Sequence, residues 1–277
     1  MSTTVADPAP SLPCCRASVL SVSRTVGLVD VPRLDLVAVP VGARDLVLLA
    51  HGGQEHSVDD PSDWRSPLLR MWPFARAALQ AAPGAAVGLL RYRYRGWNDD
   101  AADAAADLRT VLDRVDYDRV LLIGHSMGGR AVTWLANHDM VRGVLALAPW
   151  LPESDPLMAS VDRVVVLAHG NQDRITDAAA TARYAAKLRA TGATVASFTV
   201  AGDNHSMLRR YGDWDELVRR FVRQALDQPG PALGDAVDSD PSRPVDQLPR
   251  WTRKRGRPGA IASITFARFR HPVRTSL

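Results

Sequence analysis

The sequence predicts an α/β domain: a doubly wound, mostly parallel sheet with helices on both faces. Three observations lead there. Short apolar runs alternate with Ala-rich stretches at helical spacing from residue 45 to residue 227, the order expected of layered strands and helices. Several runs are near-continuous Val, Leu and Ile, as strands buried on both faces require. The run at 119–125 stops at Gly124-His125-Ser126-Met127-Gly128, where small residues permit a sharp turn from strand to helix.

Taken in order, residues 1–16 carry Pro8, Pro10 and Pro13 among small polar residues and read as a disordered leader. Residues 17–42 alternate β-branched and polar side chains, which predicts two short strands. Further strands are expected at 45–52, 86–94, 119–125, 141–149, 161–170 and 194–202. Helices are expected at 67–82, 103–115, 128–138, 176–192 and 213–227. The last has Leu217, Val218, Phe221, Val222 and Leu226 on one stripe. The domain therefore spans 17–228. Residues 229–249 are rich in Pro, Asp and Ser and read as a linker. Residues 250–277 read as a basic, disordered tail, and a chain ending at 228 is expected to be self-sufficient.

With 46% hydrophobic and 23% charged residues among 277, the composition is that of a soluble globular protein. No apolar run reaches the roughly 18–20 residues of a membrane span. The start lacks the basic and apolar regions of a signal peptide. Cys14 and Cys15 are adjacent and give no disulfide framework, so a cytoplasmic location is expected. His51, His56 and Asp59 show no metal-site spacing, and no metal or cofactor is expected. The net charge of +4 is localised. The tail holds eight Arg or Lys and no acid, the linker one Arg against four Asp, and the body is nearly neutral.

Chemistry-bearing residues end four of the strands. Ser126 follows 119–125, "HGNQDRIT" places Asp173 after 161–168, and "GDNHSM" places His205 after 194–201. The strand at 45–50 runs into "HGGQEHS", a Gly-rich loop suited to aiming backbone N–H groups at an oxyanion. His125 and Asp203 are alternatives for a base and an acid. His51 and His169, each before a Gly, read as packed turn residues.

In this order, serine then acid then histidine, residues 17–228 resemble the α/β-hydrolase fold superfamily, and specifically its lidless esterase and dienelactone-hydrolase-like members. The resemblance implies Ser126 as nucleophile, His205 as base and Asp173 as the acid that orients it. It implies an oxyanion hole from the backbone of Met127 and of Gly53 or Gln54, with Gly53 preferred. The implied activity is cleavage of a small ester or thioester through an acyl-enzyme. The alternatives are a catalytically silent member, or a nucleic-acid-associated protein acting through its tail.

About eleven residues separate the strands ending near Pro149 and starting near Val161, too few for a helical cap. Trp150, Leu151 and Trp97 are candidate pocket residues. In "RYRYRGWND", Arg91, Arg93 and Arg95 are expected on one face of a strand and Tyr92 and Tyr94 on the other. Arg95 is a candidate for a substrate carboxylate, or else pairs with Asp99, Asp100 or Asp103. Finally, Arg255-Gly256-Arg257-Pro258, within 253–258, resembles the AT-hook, which lies in a narrow A·T minor groove.

Overall fold

The computed structural model describes residues 31–251, except 62–64, 159–162, 238–239, 241 and 243. Its strands are β1 (Arg33–Ala38), β2 (Asp45–Ala50), β3 (Ala86–Arg91), β4 (Arg119–His125), β5 (Val141–Leu147), β6 (Val164–Gly170), β7 (Thr194–Val200) and β8 (Asp246–Gln247). Its helices are α1 (Arg65–Ala81), α2 (Asp103–Leu112), α3 (Met127–Trp134), α4 (Ala178–Ala190) and α5 (Tyr211–Ala225). Hydrogen bonds order the strands β1-β3-β2-β4-β5-β6-β7-β8, with β1 antiparallel to β3 and the other pairs parallel.

The apolar runs are continuous because each strand is covered twice. Leu46, Leu48, Val120, Leu122, Val144 and Ala146 face the layer of α2, α3 and α4. Val47, Leu49, Leu121, Ile123, Leu145 and Leu147 face α1 and α5. A one-residue alternation across a pleated strand assigns each side chain to one layer. The chain leaves β2 for β3 on one side and returns to β4 on the other. Ligands of open α/β sheets bind beyond the strand ends at such a reversal.

Two expectations need correction. The strand predicted at 86–94 ends at Arg91. Beyond it the backbone bonds to the loop after β2 instead of the sheet: Gln54 N–H donates to Arg95 O at 2.8 Å and Trp97 N–H to Gln54 O at 3.0 Å. Arg91, Arg93 and Arg95 therefore do not share a strand face. Described parts of the segment read as a linker at 229–249 dock on the body. β8 pairs with β7, and Leu233 and Leu248 are buried among α5-side core residues. Buried Arg210 fastens it, donating from Nη2 to Leu248 O at 3.0 Å and Pro249 O at 2.8 Å. A two-residue strand among prolines carries no readable period, which is why composition alone suggested a linker.

No helix occurs among the described residues between β5 and β6. No helix among the described residues is long and apolar enough to cross a membrane. Cys14, Cys15, the first predicted strand and the AT-hook-like string lie outside the described residues.

A chain ending at residue 228 exposes the core under Leu233 and Leu248 and leaves Arg210 without two acceptors. We expect it to lose about 3 kcal/mol of unfolding free energy, seen as a lower urea midpoint than the full chain. Equal midpoints would return 229–249 to the status of a linker.

Candidate active site

Ser126 sits between β4 and α3 with φ 56° and ψ −118°, a backbone conformation rare for any residue with a side chain. Its neighbours make the turn possible. A Cβ on Gly124 would stand 2.2 Å from the Gly128 carbonyl oxygen, and one on Gly128 would stand 2.3 Å from that of Ala50. Only glycine lets α3 begin this close to the strand ends. Ser126 N–H donates to Leu147 O at 3.1 Å, and Trp150 N–H to Ser126 O at 3.2 Å, which hold the strained residue in place.

The sheet then brings three of the candidates into one hydrogen-bonded chain. Ser126 Oγ lies 3.0 Å from His205 Nε2, and His205 Nδ1 lies 2.8 Å from Asp173 Oδ2. A carboxylate only accepts, so Nδ1 carries the proton and Nε2 presents its lone pair to the serine hydroxyl. The Asp173 side chain is fully buried, and burial by itself would raise its pKa. Donors outweigh that cost: His169, His205 and the N–H groups of Ile175 and Thr176 hold the carboxyl well below its usual range. It stays charged.

His169 and Thr176 are the residues that the sequence reading missed as members of this group. His169 Nε2 lies 3.0 Å from Asp173 Oδ2 and its Nδ1 2.8 Å from Thr181 Oγ1. The Thr176 hydroxyl donates to Asp173 Oδ2 at 3.0 Å. Both lie in "HGNQDRIT", His169 four residues before the aspartate and Thr176 three after it, so the signal was present in the string.

The alternatives are placed elsewhere. His125 donates from Nε2 to the His205 carbonyl at 3.0 Å, away from Ser126. Asp203 is fully buried and accepts from the N–H groups of Asn204, Arg209 and Arg210 and from Trp214 Nε1. It shapes the loop carrying His205 and makes no bond to the ring among these contacts. His51 is the expected turn residue, bonded at 2.7 Å to Gly52 O and edge-on to Tyr92.

Between Gly53 and Gln54 the geometry separates the options. Gln54 N–H is already donated to Arg95 O. Gly53 N–H has no partner among the described residues, and its Cα lies under Met127: a Cβ there would meet Met127 Cε at 2.2 Å. Met127 opens α3, so its N–H is among those a helix leaves unpaired.

A family model for the alpha/beta hydrolase family matches residues 47–268. The chain belongs to the alpha/beta hydrolase family. Est1E from Butyrivibrio proteoclasticus is similar in structure, with 17% identity and a TM-score of 0.52 over 71% of this chain and 94% of that one. ATU1826, a protein of unknown function from Agrobacterium tumefaciens, has 15% identity and a TM-score of 0.56 over 75% and 93%. An esterase from Pyrobaculum calidifontis has 16% identity and a TM-score of 0.50 over 67% and 76%. At these identities the likeness is one of fold. A search of curated proteins returned no match. Membership of the family supports hydrolysis as the type of reaction.

In this alpha/beta hydrolase the four pocket candidates take other positions. Trp97 is 1% exposed and packs edge-on against Trp134 and Trp150. Arg130 lies between Trp97 and Trp150, at 3.9 and 4.5 Å from the ring centroids, and bonds Asp155 through Nε and Nη2. Trp97 and Trp150 therefore enclose a buried ion pair. Leu151 is core, at the floor of a separate hollow of about 150 Å³ with Asp155 and Tyr184. Arg95 fixes the loop after β2, donating from Nε to Asp60 O at 2.9 Å, while Arg93 takes Asp103 and Asp107. No group of three or more His, Cys, Asp or Glu suited to a metal occurs among the described residues.

Asp203→Ala leaves four N–H groups in a dry site. We expect a loss of about 3 kcal/mol in urea unfolding; a loss below about 1 kcal/mol would mean that other contacts hold the loop.

The buried histidines predict acid sensitivity. Burial, then repulsion by His205 and Arg70, brings His125 down to about 3. Burial brings His51 down to about 4 despite its bond to Gly52. An unfolded histidine titrates near 6.5, so from pH 6.5 downwards the unfolded chain takes up protons that the native protein refuses, and stability falls with pH. Asp215, pushed up to about 6 by burial, acts oppositely and offsets part of this. We expect urea unfolding free energy at pH 4.5 to be lower than at pH 7 by about 2 kcal/mol. An unchanged value would mean that these rings are charged in the native state.

Proposed function

We propose that this protein is a serine hydrolase that cleaves a small ester or thioester through an acyl-enzyme. The observation that carries the reading is the chain Ser126 Oγ, His205 Nε2, His205 Nδ1, Asp173 Oδ2, with spacings of 3.0 and 2.8 Å. A serine hydroxyl is a weak nucleophile at neutral pH and needs a base within hydrogen-bond reach. Ser126 Oγ attacks the carbonyl carbon as His205 Nε2 takes its proton. The carbonyl oxygen becomes an oxyanion and accepts from the N–H groups of Gly53 and Met127. When it collapses, the C–O or C–S bond breaks and the imidazolium returns the proton to the leaving group. Water then repeats the sequence on the acyl-enzyme. The Asp173 carboxylate stabilises the imidazolium and keeps the ring in the tautomer that can act.

Three features support the reading. Ser126 is held in a strained backbone conformation by hydrogen bonds to Leu147 O and from Trp150 N–H, which presents its hydroxyl to His205 before attack. Gly53 and Met127 both have N–H groups without acceptors among the described residues, and one such donor contributes about 3 kcal/mol to a transition state of this kind. The short connection between β5 and β6, without a helix among the described residues, favours a small or exposed acyl group. Est1E, which has also been solved with ferulic acid bound, and the Pyrobaculum esterase share the fold.

A fluorophosphonate probe is expected to label the folded protein at Ser126 and to leave Ser126→Ala unlabelled. Asp173→Asn is expected to lower kcat on p-nitrophenyl acetate by about 10⁴-fold with KM little changed. Labelling that persists in Ser126→Ala would end the proposal, and ordinary turnover in Asp173→Asn would remove that residue from it.

A further inference from the structure

Beside His205 the surface opens into a cleft of about 940 Å³ lined by the loops after β6 and β7 and by α1. Its charge is one-sided. Arg70, Arg174 and Arg209 line it, with the neutral side chains of Asn171, Asn204 and Ser206 between them. The one carboxylate in the lining, Asp173, already has both oxygens engaged: Oδ1 by the Ile175 and Thr176 N–H groups, Oδ2 by His169, His205 and the Thr176 hydroxyl.

Among the described residues no carboxylate pairs with Arg70 or Arg174, whereas buried Arg130 and Arg210 each have one. The Arg209 guanidinium bonds only neutral groups in these contacts, Gln172 Oε1 and Gly202 O. Arg70 is partly buried, and that burial alone lowers its pKa, so a cation has lost water there without gaining a counter-charge among the described residues. Ile175, 74% exposed, adds an apolar wall. The cleft touches His205 and neither Gly53 nor Met127. What occupies it therefore lies on the side of the base, where the proton is handed to the departing group.

We infer that the cleft holds the leaving group, and that the substrates are esters or thioesters whose alcohol or thiol carries an anion, a carboxylate or a phosphate, recognised by Arg70, Arg174 and Arg209. The inference rests on the serine-hydrolase reading. Guanidinium groups suit both oxyanions, because each presents paired oxygens to the N–H fork. The apolar wall beside Ile175 accepts the carbon skeleton between the ester and the charge.

The test uses one acyl group and three leaving groups. 4-Acetoxybenzoate and 4-acetoxyphenyl phosphate are compared with neutral methyl 4-acetoxybenzoate on the full chain at low salt. We expect kcat/KM to favour at least one anionic ester by roughly tenfold, mainly through KM. The preference is expected to shrink in Arg70→Gln, Arg174→Gln and Arg209→Gln and at about 0.5 M NaCl, and to persist in Arg142→Gln at the far end of β5. The member of the pair that is favoured identifies carboxylate or phosphate. Equal rates for all three esters overturn the inference, and so does a preference of 4-nitrophenyl hemisuccinate over 4-nitrophenyl butyrate, which would move the anion to the acyl side. Fluorophosphonate labelling separates the two readings: labelled protein without ester preference fails only the anion site. Calorimetry on Ser126→Ala gives a readout independent of turnover. There 4-hydroxybenzoate or 4-hydroxyphenyl phosphate is expected to bind more tightly than methyl 4-hydroxybenzoate, and equal binding of all three overturns the site.

Discussion

The edge of the sheet that carries the site depends on one close approach, that of the first turn of α3 to the ends of β2 and β4. There is no space for a side chain at Gly124 or Gly128, whose added Cβ atoms would stand 2.2 and 2.3 Å from backbone oxygens. With α3 seated that low, the chain has one residue in which to reverse, and Ser126 takes the positive φ. A strained residue of this kind costs on the order of 1–3 kcal/mol and persists only where its surroundings over-determine it. The bonds to Leu147 O and from Trp150 N–H do so. The same approach puts the Gly53 backbone, in the loop after β2, beside the side chain of Met127, the first residue of α3.

The loops at this edge are held by buried polar groups rather than by apolar packing. Asp203 gathers four N–H donors, Arg210 ties the segment after α5 to the His205 loop, and Arg130 pairs with Asp155 between two tryptophans. Removing one partner of such a group is costly, although the intact pair adds little net stability over an apolar filling. Their effect is on geometry: each buried charge accepts one arrangement of its loop.

Electrostatics at the site are divided among groups that resemble one another in sequence. Asp173 is kept charged by its donors, while His125 is kept neutral by burial. Two adjacent histidine rings, 4.7 Å apart, are thereby given different work. His125 spends its one N–H on the His205 backbone, and His205 keeps a free lone pair toward Ser126.

Local pattern was enough to read the sheet, the five helices, the elbow and the order in which serine, aspartate and histidine follow their strands. Each of these is written in near-neighbour periodicity or in a short turn, and strand ends in a parallel sheet fall on one edge whatever the intervening helices. Contacts between distant loops decided the remainder. β3 stops at Arg91 because the loop after β2 takes the next hydrogen bonds. Trp97 and Trp150 enclose Arg130 instead of lining a pocket. Leu248 and Pro249 dock because Arg210, buried far from them in sequence, requires carbonyl acceptors. His169 and Thr176 join Asp173, and Arg70 meets Arg174 and Arg209 around one cleft. A single chain does not announce which of its many arginines will meet a carboxylate, because that depends on which surfaces fold together.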